Sequence, residues 1–237
     1  MPNRAAARRR GTWPVLAAAL PVCSVLDVGC GRGVWLAERT RAGAEEVVGV
    51  DGAPPDELAI PATAFRTLDL TMPFDLDRRF ALVQCLEVGE HIAREHSPTL
   101  IDNLVRHGKL VLFSAATPGQ IGEHHINEQP LAFSRALFAA RNYHPYDFAR
   151  PRVASRQVMP WYRYNILLYV RADAAAALPP EIAAARVADD IEIPRVESPY
   201  WRARAAIFRR VSPATMTRIT ALRRNLELAW RRRAAKD

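Results

Sequence analysis

Short apolar runs alternate with amphipathic stretches through the first 170 residues. Residues 25–28, 47–50, 65–68, 82–86 and 110–113 are rich in branched side chains and end near Gly, Pro or polar residues, which predicts β-strands. Residues 34–42, 98–107 and 130–141 carry the longer period of helices. In the second of these, Leu100, Ile101, Leu104 and Val105 fall on one face. Residues 164–170 (Tyr-Asn-Ile-Leu-Leu-Tyr-Val) predict one more strand. Strand and helix in alternation imply an α/β fold with a doubly wound, mostly parallel sheet.

After Arg171 the pattern changes to an alanine-rich stretch punctuated by Pro179-Pro180. The expected organisation is an N-terminal helical segment over 1–23, an α/β domain over 24–171 and a basic helical C-terminal extension over 172–237. Ser212-Pro213 reads as an N-cap followed by proline in the first helical turn. Ile219, Leu222, Leu226 and Trp230 follow at helical spacing, with arginines on the other faces.

Charge sharpens that division. The net charge is +8, but residues from Arg195 to Asp237 hold 12 Lys+Arg against 3 Asp+Glu, and the rest holds 21 against 22. The basicity belongs to the tail. Such a helix suits an acidic membrane surface, a partner protein or nucleic-acid phosphates. Nucleic acid is the less favoured partner: beyond Tyr200, Trp201 and Trp230 the tail has few aromatics, and it contains no recognised RNA module. Three cysteines, Cys23, Cys30 and Cys85, without a C-x-x-C pair, point to a reducing compartment. Arg4, Arg8, Arg9 and Arg10 before an apolar stretch resemble a signal peptide. However, Pro14 and Pro21 interrupt that stretch, and cleavage would undermine the first strand, so a cytoplasmic protein is expected. No apolar run approaches the roughly 18 residues of a membrane span.

The chemistry begins at Asp27-Val28-Gly29-Cys30-Gly31-Arg32-Gly33, between a strand and a helix. Glycines permit a tight turn and a close ligand approach. A carboxylate two residues before the first glycine would repel a pyrophosphate but favour a cationic ligand. Asp51 ends the second predicted strand, placed for a ribose diol, and Asp69 follows the third. The dinucleotide fingerprint G-x-G-x-x-G is broken, because Val34 stands where its third glycine belongs. The pattern acidic-x-Gly-x-Gly-x-Gly with spaced acids resembles class I S-adenosylmethionine (SAM)-dependent methyltransferases over residues 24–170. That resemblance implies a Rossmann-like seven-stranded sheet with an antiparallel final strand. It also implies a SAM site formed by Asp27, Gly29, Cys30, Gly31, Gly33, Asp51, Asp69, Leu70 and Leu86.

Two further segments face the same end of the sheet. Cys85-Leu86-Glu87-Val88-Gly89-Glu90-His91 follows strand four, and helical winding there would place Glu87 one turn from Glu90 and His91. Thr117-Pro118-Gly119-Gln120-Ile121-Gly122-Glu123-His124-His125-Ile126-Asn127-Glu128 follows strand five. The first resembles the Glu-x-x-Glu-His element of ubiquinone-pathway O-methyltransferases and small-RNA 2′-O-methyltransferases, which bind a divalent cation. Carried over, it implies metal ligands Glu87, Glu90, His91 and either His124 or His125. His125 is preferred because it opens a His-x-Asn-Glu pattern, and His91 and His125 become the catalytic candidates. Phe-Ser-Ala-Ala-x-Pro-Gly-Gln, followed by Trp161-Tyr162-Arg163-x-Asn165, resembles bacterial methyltransferases of polysaccharide and secondary-metabolite loci. The expectation is O-methylation of a sugar, glycan-like or natural-product hydroxyl, aided by Mg2+ or Mn2+. The alternatives are an RNA 2′-O-methyltransferase and a metal-independent enzyme with a histidine base.

Overall fold

The computed structural model describes residues 22–152 and 159–212, together with 215, 217, 218 and 222. Its centre is one seven-stranded sheet: β1 (Ser24–Val28), β2 (Glu46–Asp51), β3 (Phe65–Thr67), β4 (Leu82–Leu86), β5 (Leu110–Ser114), β6 (Tyr143–Tyr146) and β7 (Leu167–Arg171). The spatial order is β3-β2-β1-β4-β5-β7-β6. β7 runs antiparallel to both β5 and β6, and the other pairings are parallel. The expected antiparallel final strand is therefore present. The order reverses between β1 and β4, so their carboxyl ends open the crevice where such sheets bind ligands.

Both faces of the sheet are covered, which is why its strands read as nearly continuous apolar runs. Alternation along the central strands separates two of the three apolar clusters among the described residues. Val83, Cys85, Val111 and Phe113 point to a layer with Leu100, Leu104, Phe138 and Tyr169. Leu82, Leu86, Leu112, Leu168 and Val170 point to the opposite layer with Trp35, Tyr162 and Ile166. Helix α1 (Val34–Arg41) starts after left-handed Gly33 and stops at Gly43, whose φ of 101° suits only glycine well. There the Ala44 N–H returns to the Arg39 carbonyl in a Schellman closure. Helix α2 (Ser97–His107) buries the stripe of Leu100, Ile101 and Leu104, and helix α3 (Leu131–Ala139) buries Phe138, which stacks on Tyr169 at 3.9 Å.

Two elements differ from expectation. β6 (Tyr-His-Pro-Tyr) escapes the sequence pattern because Pro145 interrupts it, and its edge position is where a strand tolerates proline. The predicted strand over 164–170 is shorter: a helix, α4 (Pro160–Asn165), holds Tyr164 and Asn165, and β7 begins at Leu167. Past β7, α5 (Pro180–Ala183) contributes fully buried Ile182, and Val187 and Ile193 join the first core layer. Helix α6 (Pro199–Phe208) is capped by the Ser198 hydroxyl, which accepts from Trp201 N–H. The Ser212 hydroxyl accepts from Thr215 N–H at 3.2 Å, the bond expected of an N-cap. The expected N-terminal helix before residue 22, and Ile219, Leu226 and Trp230, lie outside the described residues. Among the described residues no helix is long and apolar enough to cross a membrane.

A polar contact is set inside this apolar frame. Arg39, only 1 % exposed, donates from Nε and Nη2 to the Gln84 Oε1 at 2.8 and 2.7 Å. Burial lowers the Arg39 pKa, and the charge of Asp27 opposes that shift. Replacing Gln84 with leucine removes one acceptor from a buried guanidinium. The expected loss is about 1.5–3 kcal/mol of stability, read as a lower urea midpoint. An unchanged midpoint would show that Arg39 is satisfied without Gln84.

Candidate active site

The glycine loop leaves β1 and doubles back over β2. Gly29, Gly31 and Gly33 all have positive φ, at 79°, 52° and 73°, and the Gly29 and Cys30 N–H groups donate to the Val50 carbonyl. The three glycines serve different ends. A Cβ on Gly29 would sit 2.2 Å from Val88, and one on Gly33 would meet Ile60 at 2.8 Å, so both are needed for packing. A Cβ on Gly31 would meet nothing within 4 Å, so its backbone borders open space. The Gly31 N–H donates to Asp51 Oδ2 at 2.7 Å, which ties the loop to the end of β2.

Asp27 is buried at the end of β1, and Leu70 and Leu86 are buried nearby in sequence to Asp69 and Glu87. Asp69 is exposed, and its Oδ1 accepts from the backbone N–H and hydroxyl of Thr71, which lower its pKa. Cys30 and Cys85 are buried, and burial raises both thiol pKa values. They stay neutral packing groups.

The second cluster joins the ends of β4 and β5. The expected helical turn at Glu87 is absent: Glu87 has a φ of 58°, and only Gly89–His91 winds as a 3-10 turn. A non-glycine residue in that region carries strain that surrounding contacts must hold. Here Gln120 Nε2 donates to Glu87 Oε2 at 3.0 Å, and Asn165 Nδ2 donates to Gln120 Oε1 at 2.7 Å. Glu87 therefore lies in a Gln120–Asn165 network. Among the described residues it is Glu90, His91 and His125 that each bring a ligand-type atom within 4.8 Å of the others.

Within that trio the ring orientations are determined. His91 Nδ1 lies 3.2 Å from the His124 carbonyl, and His125 Nδ1 lies 2.8 Å from Glu128 Oε1. Carbonyl and carboxylate oxygens only accept, so in both rings Nδ1 is the donor, and in the neutral tautomer Nε2 is the ligand atom. His125 Nε2 is 3.9 Å from Glu90 Oε1. The His91 pKa is lowered, by burial first and by the His125 ring next, which favours its neutral form. Glu90 is fully buried, and neither of its oxygens forms a well-directed hydrogen bond. Its pKa is pushed up to about 9, by burial first and by the charge of Glu87 next.

The neighbouring residues lock the loop in place. Glu128 also accepts from the Gly119 and Ile121 N–H groups, at 2.7 Å each. The Glu90 carbonyl accepts from the N–H groups of Ile126 and Asn127, stitching the two segments together. Gly122 backs directly onto the His125 ring, leaving no room for a Cβ, and Gly119 packs against the Ala205 carbonyl of α6. Arg204 of α6 donates to the Gln120 carbonyl at 3.0 Å. His124, with its side chain 76 % exposed, faces solvent. The sequence places Gln120 and Glu128 in the segment after strand five, within the Pro-Gly-Gln and His-x-Asn-Glu patterns, but assigns neither a partner, and it gives no signal for Arg204.

A family profile described as a methyltransferase domain matches residues 3–152. No curated protein matches the sequence. Among solved structures, the sugar N-methyltransferase KedS8 from Streptoalloteichus sp ATCC 53650 is similar at a TM-score of 0.54 and 18% identity, covering 72% of this chain and 88% of that one. Streptomyces venezuelae DesVI is similar at 0.52 and 14%, covering 71% and 94%. The small RNA methyltransferase HEN1 is similar at 0.51 and 18%, covering 68% of this chain and 25% of that one. At such identities the likeness is one of fold. With the family match, it makes this chain a member of the methyltransferase-domain family and a class I SAM-dependent methyltransferase.

The loop geometry makes its own prediction. Replacing Glu128 with alanine strips three donors of one acceptor, each worth about 1 kcal/mol or more. Amide exchange at Gly119 and Ile121 should then accelerate by roughly tenfold or more, with the Gly29 amide, bonded to Val50, unchanged. Nitrogen-15 NMR of the parent should show both rings protonated at Nδ1. Slow exchange in the variant would remove Glu128 from this role.

Proposed function

We propose that this protein transfers the SAM methyl group to a hydroxyl of a sugar, glycan-like or natural-product acceptor. SAM would lie over the open backbone of Gly31, with Asp27, Gly29, Cys30, Gly33 and Leu86 around its methionine half. Asp51 would receive the ribose, and Asp69 and Leu70 the adenine. The fit rests on the open backbone at Gly31 and on Asp51, which has further acceptor capacity beyond the Gly31 bond.

The observation that carries the hydroxyl reading is the grouping of His91 and His125, each held at Nδ1, beside buried Glu90. An alcohol is a weak nucleophile near neutral pH and must lose its proton as oxygen attacks the sulfonium methyl. The C–O bond forms, the C–S bond breaks, and the proton needs an acceptor. The donor set fits a divalent ion, because two buried Glu90 oxygens lack well-directed bonds and both imidazoles offer lone pairs. Two nitrogens and one carboxylate suit manganese or another transition ion better than magnesium, which prefers oxygen. Glu90, His91 and His125 would hold it, with Glu87 adding negative charge behind them. Such an ion would act as a Lewis acid on the acceptor hydroxyl.

A second reading is favoured by the 2.8 Å bond between Glu128 and His125. That carboxylate orients the ring, as a general base requires. His125 Nε2 then takes the hydroxyl proton directly.

Asp51→Ala should weaken SAM binding by roughly 10- to 150-fold, the worth of charged hydrogen bonds, in an isothermal titration. Asp51→Asn should lose less, since it retains an acceptor for Gly31. Equal affinity in all three proteins would refute the ribose assignment.

The metal reading predicts that Mn2+ binds the EDTA-stripped protein and that His125→Ala and Glu90→Gln abolish this binding, with SAM affinity unchanged in both. The base reading predicts no Mn2+ binding and methyl transfer that survives EDTA but not His125→Ala.

A further inference from the structure

Beside the reaction centre, between α3 and α6, lies a cleft of about 220 Å³ lined by Arg135, Arg195, Arg202, Arg209 and Trp201. Its acidic wall residues are Glu192 and Glu197. The four arginines are unequally committed. Arg135 donates to the carbonyls of Ile191 and Ala188 and is part of the wall. Arg195 stands 3.5 Å from Glu197. Arg202 and Arg209 have no side-chain partner among the described residues.

Their placement links them to the catalytic loop. Arg202 and Ala205 of α6 and Arg209, its C-cap, recur at i, i+3 and i+7, so they share one face. Ala205 is where that face meets Gly119, and the two unpaired guanidinium groups flank the contact. Arg209 and Pro118 also line a second cleft, of about 260 Å³, whose wall holds His125 and Glu128. Pro118 and Arg209 are thus common to the walls of both clefts.

Arg202 and Arg209 are exposed and line one concave cleft, where two guanidinium groups can give a multidentate oxyanion charge-assisted bonds. We infer that this cleft binds a phosphate or diphosphate group carried by the methyl acceptor. The acceptor is then a soluble phosphorylated molecule, anchored by its anion at Arg202 and Arg209 while its hydroxyl reaches His125. This step rests on the reading of His125 as the reaction centre. The cleft is concave and contains two carboxylates, whereas a membrane surface or an RNA backbone calls for an open, uniformly basic face.

The test is titration of inorganic pyrophosphate into the full-length, SAM-loaded protein, its Arg202→Gln/Arg209→Gln double variant and an Arg210→Gln control. Arg210 is exposed and outside both clefts. Saturable binding is expected, unchanged in the control and weakened by about tenfold or more in the double variant, the scale of losing charged hydrogen bonds. Equal SAM affinity in all three proteins shows that the variants fold. Failure of pyrophosphate to bind, or equal binding in the double variant, overturns the inference. So does a protein that ignores pyrophosphate but binds phosphatidylglycerol vesicles or a single-stranded RNA. Since pyrophosphate binding is read without methyl transfer, its failure is separate from failure of the SAM and His125 assignments, which the SAM and Mn2+ titrations report.

Discussion

Three donors converge on the carboxylate of Glu128: the backbone N–H groups of Gly119 and Ile121 and the Nδ1–H of His125. A loop with left-handed residues at Gly119, Ile121 and His124 has no regular hydrogen-bond ladder of its own. One side chain supplies the missing acceptors. The same carboxylate sets the tautomer of His125, so the folding of the loop and the readiness of its imidazole rest on one interaction. What lies around it adds to the constraint. Gly122 leaves room for the ring, Asn127 and Ile126 bind the Glu90 carbonyl, and α6 presses on Gly119.

Electrostatics make the neighbouring segment expensive to maintain. Burial raises the pKa of both Glu87 and Glu90, and the charge of Glu87 raises that of Glu90 further. Glu87 also holds a strained backbone conformation, fixed by Gln120 and through it by Asn165 of α4. Strain and perturbed carboxylates in one crevice, at the carboxyl ends of β4 and β5, are the marks of a site kept for chemistry rather than for stability. The buried Arg39–Gln84 pair shows the contrasting case, where a polar group inside the sheet finds its acceptor.

The central strands and the glycine loop were legible in the sequence because each depends on neighbours only a few residues away. β1, β2, β4 and β5 begin or end within one or two residues of the apolar runs that announce them. Gly29, Gly31 and Gly33 announce a turn that other residues adopt poorly. The edge strand β6 was illegible because Pro145 argues against a strand unless its edge position is known. The helix over Pro160–Asn165 overlaps the predicted strand at Tyr164 and Asn165, because aromatic residues fit either state, and its Tyr162 packs edge-on against Trp35.

By itself, then, the sequence determined the α/β class, the parallel core, the glycine turn after β1 and the two segments that follow β4 and β5. Period, turn chemistry and strand order are local or topological rules. The tertiary structure alone decided that Glu87 turns away from helical register into the Gln120 network. It alone decided that Glu128 rather than a neighbour fixes His125, and that the arginines of α6 border the same loop. Each of these contacts joins residues whose relation depends on how far the loops bend and what backs them. Residue spacing carries no record of a left-handed turn at Glu87, or of a helix from the C-terminal region settling on Gly119.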